Sequence, residues 1–258
     1  MKIVQLGGIE TIIKSMENFP NEPEIQENAI LAFSSICEKK ENRSSFVNLG
    51  GIPPIIKILT NFPNLYEVII NALLILVFVV SNPRVAKQIE EFQGIKAIIK
   101  TFQKFKEGEI ITRLCALNLA NFCAESEVNR IKIRDLNGIE LIIEEMKKHQ
   151  FSDNQEFCCL ALFNLAGNST NRIKITENGG VSLLLKALTN HGNSVNLNFY
   201  AIKALSRLSL YSEAKNQIQN LNVWRIVEER LTIFGTDPRI YSAGNELYTN
   251  LLIRDDFY

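Results

Sequence analysis

The sequence predicts an all-α protein made of about six copies of a three-helix repeat, and three observations carry that expectation. The tetrapeptide Asn-Phe-Pro-Asn runs from Asn18 to Asn21 and returns at Asn61 to Asn64, 43 residues later. A glycine followed by a β-branched residue recurs at Gly8-Ile9, Gly51-Ile52, Gly94-Ile95, Gly138-Ile139 and Gly180-Val181, with Asn222-Val223 as a sixth copy. A small residue stands at Ala29, Ala72, Cys115, Cys158, Ala201 and Gly244, each 43 positions beyond the last.

Each copy opens with a short polar helix, written "ENRSSFVNLGG", "VNRIKIRDLNG" and "TNRIKITENGG" in the clearer cases. Asn42, Asn129 and Asn171 are expected to cap these helices, since an Asn side chain satisfies amides that have no intrahelical partner. The glycine turn follows, where a left-handed backbone favours Gly or Asn. A middle helix then shows the apolar pairs Ile12/Ile13, Ile55/Ile56, Ile98/Ile99, Ile142/Ile143, Leu184/Leu185 and Ile226/Val227. These form one apolar face at helical spacing. Pro53 and Pro54 suit a helix start, where the first amides lack partners. Asn-Phe-Pro-Asn is the loop after the middle helix, and its repetition marks duplication.

The third helix is longer. Four residues beyond the small column come Phe33, Leu76, Leu119, Leu162, Leu205 and Tyr248; three further come Ile36, Val79, Phe122, Leu165, Leu208 and Leu251. Small then large at this spacing describes a helix that approaches its neighbours closely at one level and fills the core at the next. Cys115 and Cys158 share a column with Ala and Gly, so they read as small buried hydrophobes.

Composition excludes several functions. Basic and acidic residues balance at 28 each, so no bulk field favours nucleic acid or anionic lipid. Five cysteines with no Cys-x-x-Cys pair argue against a disulfide framework or zinc site and for a reducing compartment, the cytoplasm. The start, "MKIVQLGGIETIIKSM", carries no secretory pattern. The most apolar run, Val68 to Val80, is shorter than the ~20 residues a membrane helix needs and reads as a buried helix. No Gly-x-Ser-x-Gly, phosphate-cradling Gly loop or His-Glu-x-x-His is present, so neither catalysis, cofactor nor metal is expected. His149 and His191 fall near loops and are expected to be solvated.

A repeat of about 42 residues with three helices, a Gly turn and an Ala/Leu-rich third helix resembles the armadillo family, over nearly the whole chain. The resemblance implies one right-handed superhelix over residues 1–258, with repeats at about 1–40, 41–83, 84–126, 127–168, 169–211 and 212–254. The first repeat is truncated: "IVQLGG" aligns with "FVNLGG". Neither end shows a polar capping helix, so the array is expected to continue in a longer protein or to have its ends covered.

In peptide-binding armadillo members the third helices line a concave groove, where an Asn binds the peptide backbone and a Trp one turn earlier forms side-chain pockets. By register the Asn position reads Ser35, Phe78, Asn121, Asn164, Arg207 and Asn250, and the Trp position Leu31, Leu74, Leu117, Leu160, Lys203 and Glu246. The only Trp, Trp224, lies in a middle helix. Each Asn bond is worth roughly 0.5–1.5 kcal/mol, whereas ordering each peptide residue costs roughly 1–2 kcal/mol. Three asparagines alone cannot hold a flexible chain, and Lys203 and Arg207 disfavour basic peptides.

The resemblance therefore implies a scaffold that binds a protein or peptide segment, acidic or bearing an apolar anchor, through Ile70, Leu74, Phe78, Arg113, Asn121, Glu156, Asn164, Lys203, Arg207, Glu246 and Asn250. Ile70, Leu74 and Phe78 form an apolar strip, either a seat for a partner or packing between neighbouring helices. Arg113 with Glu156, and Lys203 with Glu246, share levels and suit ion pairs between repeats. Arg207 is the candidate grip for a carboxylate or phosphate. Two alternatives stay open: a regulatory region of a larger protein such as a kinase or GTPase regulator, and small-molecule sensing by Phe199, Tyr211 and Arg207.

Overall fold

The computed structural model describes residues 2–80, 82–151 and 153–253, which form eighteen helices and no strand. They divide into two compact units, residues 1–122 and 123–258.

The first unit holds three helix triplets. They are α1 (Lys2–Gln5), α2 (Gly8–Asn18) and α3 (Pro23–Glu38); α4 (Lys40–Asn48), α5 (Ile52–Asn61) and α6 (Tyr66–Val79); and α7 (Pro83–Glu91), α8 (Gly94–Lys104) and α9 (Glu109–Cys123). Its long helices stack in sequence. α3 packs on α6, and Asn118 of α9 donates its side-chain amide to the Leu73 carbonyl of α6 at 3.1 Å.

The second unit repeats the plan with α10 (Glu127–Asp135), α11 (Gly138–Lys148) and α12 (Asn154–Leu165). Then come α13 (Ser169–Glu177), α14 (Gly180–Asn190) and α15 (Val195–Leu208), and finally α16 (Ser212–Asn220), α17 (Val223–Phe234) and α18 (Pro238–Leu252). α15 packs between α12 and α18.

The small column is buried throughout, from Ala29 to Gly244. The large column is buried from Phe33 to Leu205, but Tyr248 is 46% exposed and lies against Trp224. All five cysteines are buried. Burial pushes Cys37 and Cys123 up to about 12 and raises Cys158 well above an ordinary thiol, so these three are not poised as nucleophiles.

The left-handed residue is Asn222 in the sixth copy, as expected, but in the other five it lies one residue before the expected glycine. The left-handed positions are Gly7, Gly50, Gln93, Asn137, Gly179 and Asn222, each directly before the middle helix except Gly50, which is one residue further back. The following glycine is needed for space. A Cβ on Gly51 would lie 2.3 Å from the Phe46 ring, and one on Gly180 would lie 2.4 Å from Ile175 Cγ2 and 2.8 Å from its carbonyl oxygen. The first helix thus folds a buried apolar side chain, Phe46 or Ile175, directly over the turn. Gly180→Ala is expected to cost about 2–3 kcal/mol through overpacking against backbone, and Gly179→Ala roughly 1–2 kcal/mol for the left-handed strain. Urea denaturation of the two variants measures the order, and a costlier Gly179→Ala would contradict this division of roles.

Asn42, Asn129 and Asn171 are not N-caps. Ser126 and Asn168 cap α10 and α13, accepting from the amides of Asn129 and Asn171. The asparagines themselves are buried in the first turn. Asn42 donates to the Ile36 carbonyl at 3.0 Å, and Asn171 to that of Leu165 at 3.1 Å. Each closes the carbonyl end of the preceding long helix, whose last groups have no partner of their own. A second set of ties fixes the loop before the long helix. Gln26 bonds the carbonyls of Met16 and Phe19, and Gln155 those of Met146 and His149.

Candidate functional site

In the first unit the candidate residues lie on α6 and α9. Ile70, Leu74 and Phe78 sit at one-turn spacing on α6 and are each half-buried, so they pack yet keep an open edge. Leu31 on α3 is 46% exposed beside this strip. The Phe78 ring lies under the Arg43 guanidinium, 5.1 Å from its centroid. Arg43 is anchored in turn on the end of α3, through Nε to the Cys37 carbonyl at 2.7 Å and Nη2 to that of Glu38 at 3.1 Å. Arg113 and Asn121 are half-buried on α9.

The second unit is more tightly wired. Lys203 of α15 pairs with Glu246 of α18 at 2.5 Å, as the register suggested, and Ser206 donates to the same carboxylate at 2.9 Å. Burial alone would raise Glu246, but these bonds outweigh it and hold the carboxyl below its ordinary value. Glu156 on α12 accepts from the Ser194 hydroxyl at 3.0 Å. Asn164 is only 7% exposed, deeper than a peptide clamp requires.

Arg207 and Asn250 show what their column does. Arg207 donates from Nη1 to the Phe163 carbonyl at 2.8 Å, and Asn250 to the Ser206 carbonyl at 3.0 Å. Each ties its long helix to the last turn of the preceding one. The Arg207 guanidinium also stacks on the Phe163 ring, 3.9 Å from the centroid. It is therefore half-buried where the sequence suggested a solvent-facing charge. Burial, then the neighbouring charge of Arg130, lower its pKa.

The sequence reading passed over the arginine that follows each buried asparagine. Arg172 donates from Nη1 to the carbonyls of Ala166 and Gly167, at 3.1 and 3.5 Å, just beyond α12. Arg130 donates to the carbonyls of Ala124 and Asn164 and to Glu127. A cation at a helix carboxyl end is favourable both as a donor and against the macrodipole. The signal was the Asn-Arg pair shared by three of the quoted first helices.

Two other expectations change. His191 bonds the Gln150 carbonyl through Nε2 at 2.8 Å, and Nε2 of His149 is buried, so neither ring is simply solvated. Phe199 pairs with Tyr200 and Arg239, and Arg207 with Phe163, so the proposed small-molecule residues serve different neighbours. Among the described residues no cluster of His, Cys, Asp and Glu suits a metal ion, and no helix is long and apolar enough to cross a membrane.

Neither a protein-family model nor a curated protein matches the sequence. Solved structures do match the fold. An engineered protein is similar with a TM-score of 0.81 at 23% identity, over 96% of this chain; this chain spans only 59% of that one. A designed armadillo repeat protein in complex with the peptide (KR)4 gives a TM-score of 0.76 at 17% identity, over 94% of this chain and 99% of that one. A computationally designed armadillo repeat protein for modular peptide recognition gives 0.77 at 17% identity, with the same shares covered. The fold is of the armadillo type, eighteen helices in six triplets.

Proposed function

We propose that this armadillo-type chain is a non-enzymatic scaffold that holds a protein or peptide segment against its long helices. The observation that carries the reading is the strip Ile70, Leu74 and Phe78, half-exposed and capped by Arg43. Phe78 replaces the polar residue that the resemblance implies at this level, and an aromatic with one open edge suits a binding hot spot. Arg113 and Asn121 flank the strip in the first unit. In the second, Glu156, Lys203, Arg207, Glu246 and Asn250 supply a polar counterpart, with Asn164 behind them. A solved neighbour that holds a peptide supports the use of such a fold for binding.

That neighbour's peptide is basic, and this preference does not transfer. Lys203, Arg207, Arg172 and Arg130 gather in the second unit, which favours an acidic segment.

The test begins by identifying a captured protein by mass spectrometry and then measures purified binding. Phe78→Asn is expected to weaken it at least tenfold, and Arg207→Glu to weaken an acidic partner by a similar factor, with helical content unchanged in Phe78→Asn. A partner that binds both variants as tightly as wild type overturns the long-helix reading and directs attention to the other faces.

A further inference from the structure

Three guanidinium groups converge on the carboxyl end of α12. Arg207 bonds the Phe163 carbonyl at 2.8 Å, Arg130 that of Asn164 at 3.0 Å, and Arg172 that of Ala166 at 3.1 Å. Gly167 makes the approach possible: a Cβ there would lie 3.1 Å from both Cζ and Nε of Arg130. Phe163 forms the floor, with Arg207 at 3.9 Å and Lys203 at 5.8 Å from the ring centroid.

We infer that this cluster is a site for a phosphoryl group carried on a protein segment. The inference rests on the scaffold reading above and gives it a partner chemistry. Helix capping explains one edge of the Arg172 and Arg207 guanidiniums and leaves the rest. Arg172 and Arg207 each spend Nη1 on backbone carbonyls, while their Nε and Nη2 meet no acceptor among the described residues. Every nitrogen of Arg130 is already engaged, by two carbonyls and Glu127, so its main contribution is charge. Four cations (Arg130, Arg172, Lys203 and Arg207) face two carboxylates, Glu127 on Arg130 and Glu246 on Lys203. The surplus of two positive charges matches a phosphate dianion better than a single carboxylate. Two free forks also suit its three oxygens. After burial, the like charge of Arg130 lowers the Arg207 pKa, Glu246 and Cys123 oppose it, and Arg172 adds a smaller lowering. A bound dianion relieves the repulsion between these like charges. The chain's balanced 28 and 28 charges supply no wider field for a polyanion such as RNA, which favours one phosphoryl group on a protein.

The experiment uses the full chain and a fluorescent nonapeptide of Gly and Ala with a central phosphoserine. Its Ser and Glu counterparts, inorganic phosphate and a nine-nucleotide RNA serve as comparisons. The phosphopeptide is expected to bind at least tenfold more tightly than the Ser or Glu forms and to be displaced by inorganic phosphate. Arg172→Lys and Arg207→Lys keep the charge and lose the fork, so each is expected to weaken binding several-fold without unfolding the chain. The double variant Arg172→Gln, Arg207→Gln is expected to erase the selectivity.

Equal binding of the three peptides, or selectivity that survives the double variant, overturns the site. Phosphate that binds as tightly as the phosphopeptide overturns the protein-segment assignment in favour of a free anion. Tighter RNA binding overturns it in favour of nucleic acid. Phe78→Asn lies in the other unit and is expected to leave the phosphate selectivity intact. If selectivity is absent while Phe78→Asn still weakens the captured partner, the phosphate site fails and the scaffold stands. If neither effect appears, both fail.

Discussion

Phe33→Ala is expected to lower the stability of the first unit by about 3–5 kcal/mol, whereas Tyr248→Ala in the second is expected to cost about 1 kcal/mol. The two residues share one column of the repeat and differ in surroundings. Phe33 is 0% exposed and meets Phe46 edge-on, with centroids 5.0 Å apart and planes at 67°. Its removal leaves a cavity that the buried Ile30 and Ile36 on the same helix cannot close without leaving their own contacts. Tyr248 loses only a half-exposed surface and a tilted stack on Trp224, 5.0 Å away. Because repeats contact mainly their neighbours, hydrogen exchange resolved by helix is the sharper readout, with denaturant melts beside it. Equal costs at the two positions would contradict the burial described here.

That contrast shows how far periodicity reaches. Spacing reports which side chains share a helix face, and it placed Ala29 through Gly244 in the core correctly. It does not report whether a neighbour covers that face. Tyr248 is 46% exposed although its position in the repeat matches that of the fully buried Phe33. The triplets, the truncated first helix and the Lys203–Glu246 pair were legible for the same reason: each follows from position alone.

Direction was harder to read. Asn171 starts an apolar pattern and has the side chain of a cap, yet Asn168, three residues earlier, caps α13. Asn171 then turns backward to the Leu165 carbonyl. A donor serves either helix equally well on paper, and only the packed geometry decides between them. Arg207 misled in the same way. A long cation on a groove position reads as solvent-facing, but its stem and guanidinium cover Phe163. What the sequence could not hold was the convergence of Arg130, Arg172 and Arg207, which come from three helices and meet at a fourth, the end of α12.

Arg130→Met is the second large effect, with an expected cost of about 2–4 kcal/mol. Methionine keeps an apolar stem of comparable length, so the loss falls on the guanidinium, whose Cζ and Nε lie over Gly167. The Arg130 side chain is 16% exposed, and its guanidinium bonds the carbonyls of Ala124 and Asn164. Both acceptors lose a charged donor, and a charge-assisted bond at a part-buried carbonyl is worth about 1.5–3 kcal/mol. Glu127 adds little, because it is 53% exposed and such pairs contribute about 0–1 kcal/mol. Glu127→Gln is therefore expected to be nearly neutral, and Arg130→Lys to fall between methionine and wild type, since one ammonium cannot span two carbonyls and a carboxylate. Full rescue by lysine would mean that charge alone matters and that the hydrogen-bond geometry at the end of α12 is incidental. In folded Arg130→Met the surplus around Phe163 drops from two positive charges to one. Phosphopeptide affinity is then expected to fall several-fold with weaker salt dependence, although every Arg130 nitrogen is already bonded within the protein. Unchanged affinity at two salt concentrations would separate the structural role of Arg130 from any electrostatic one.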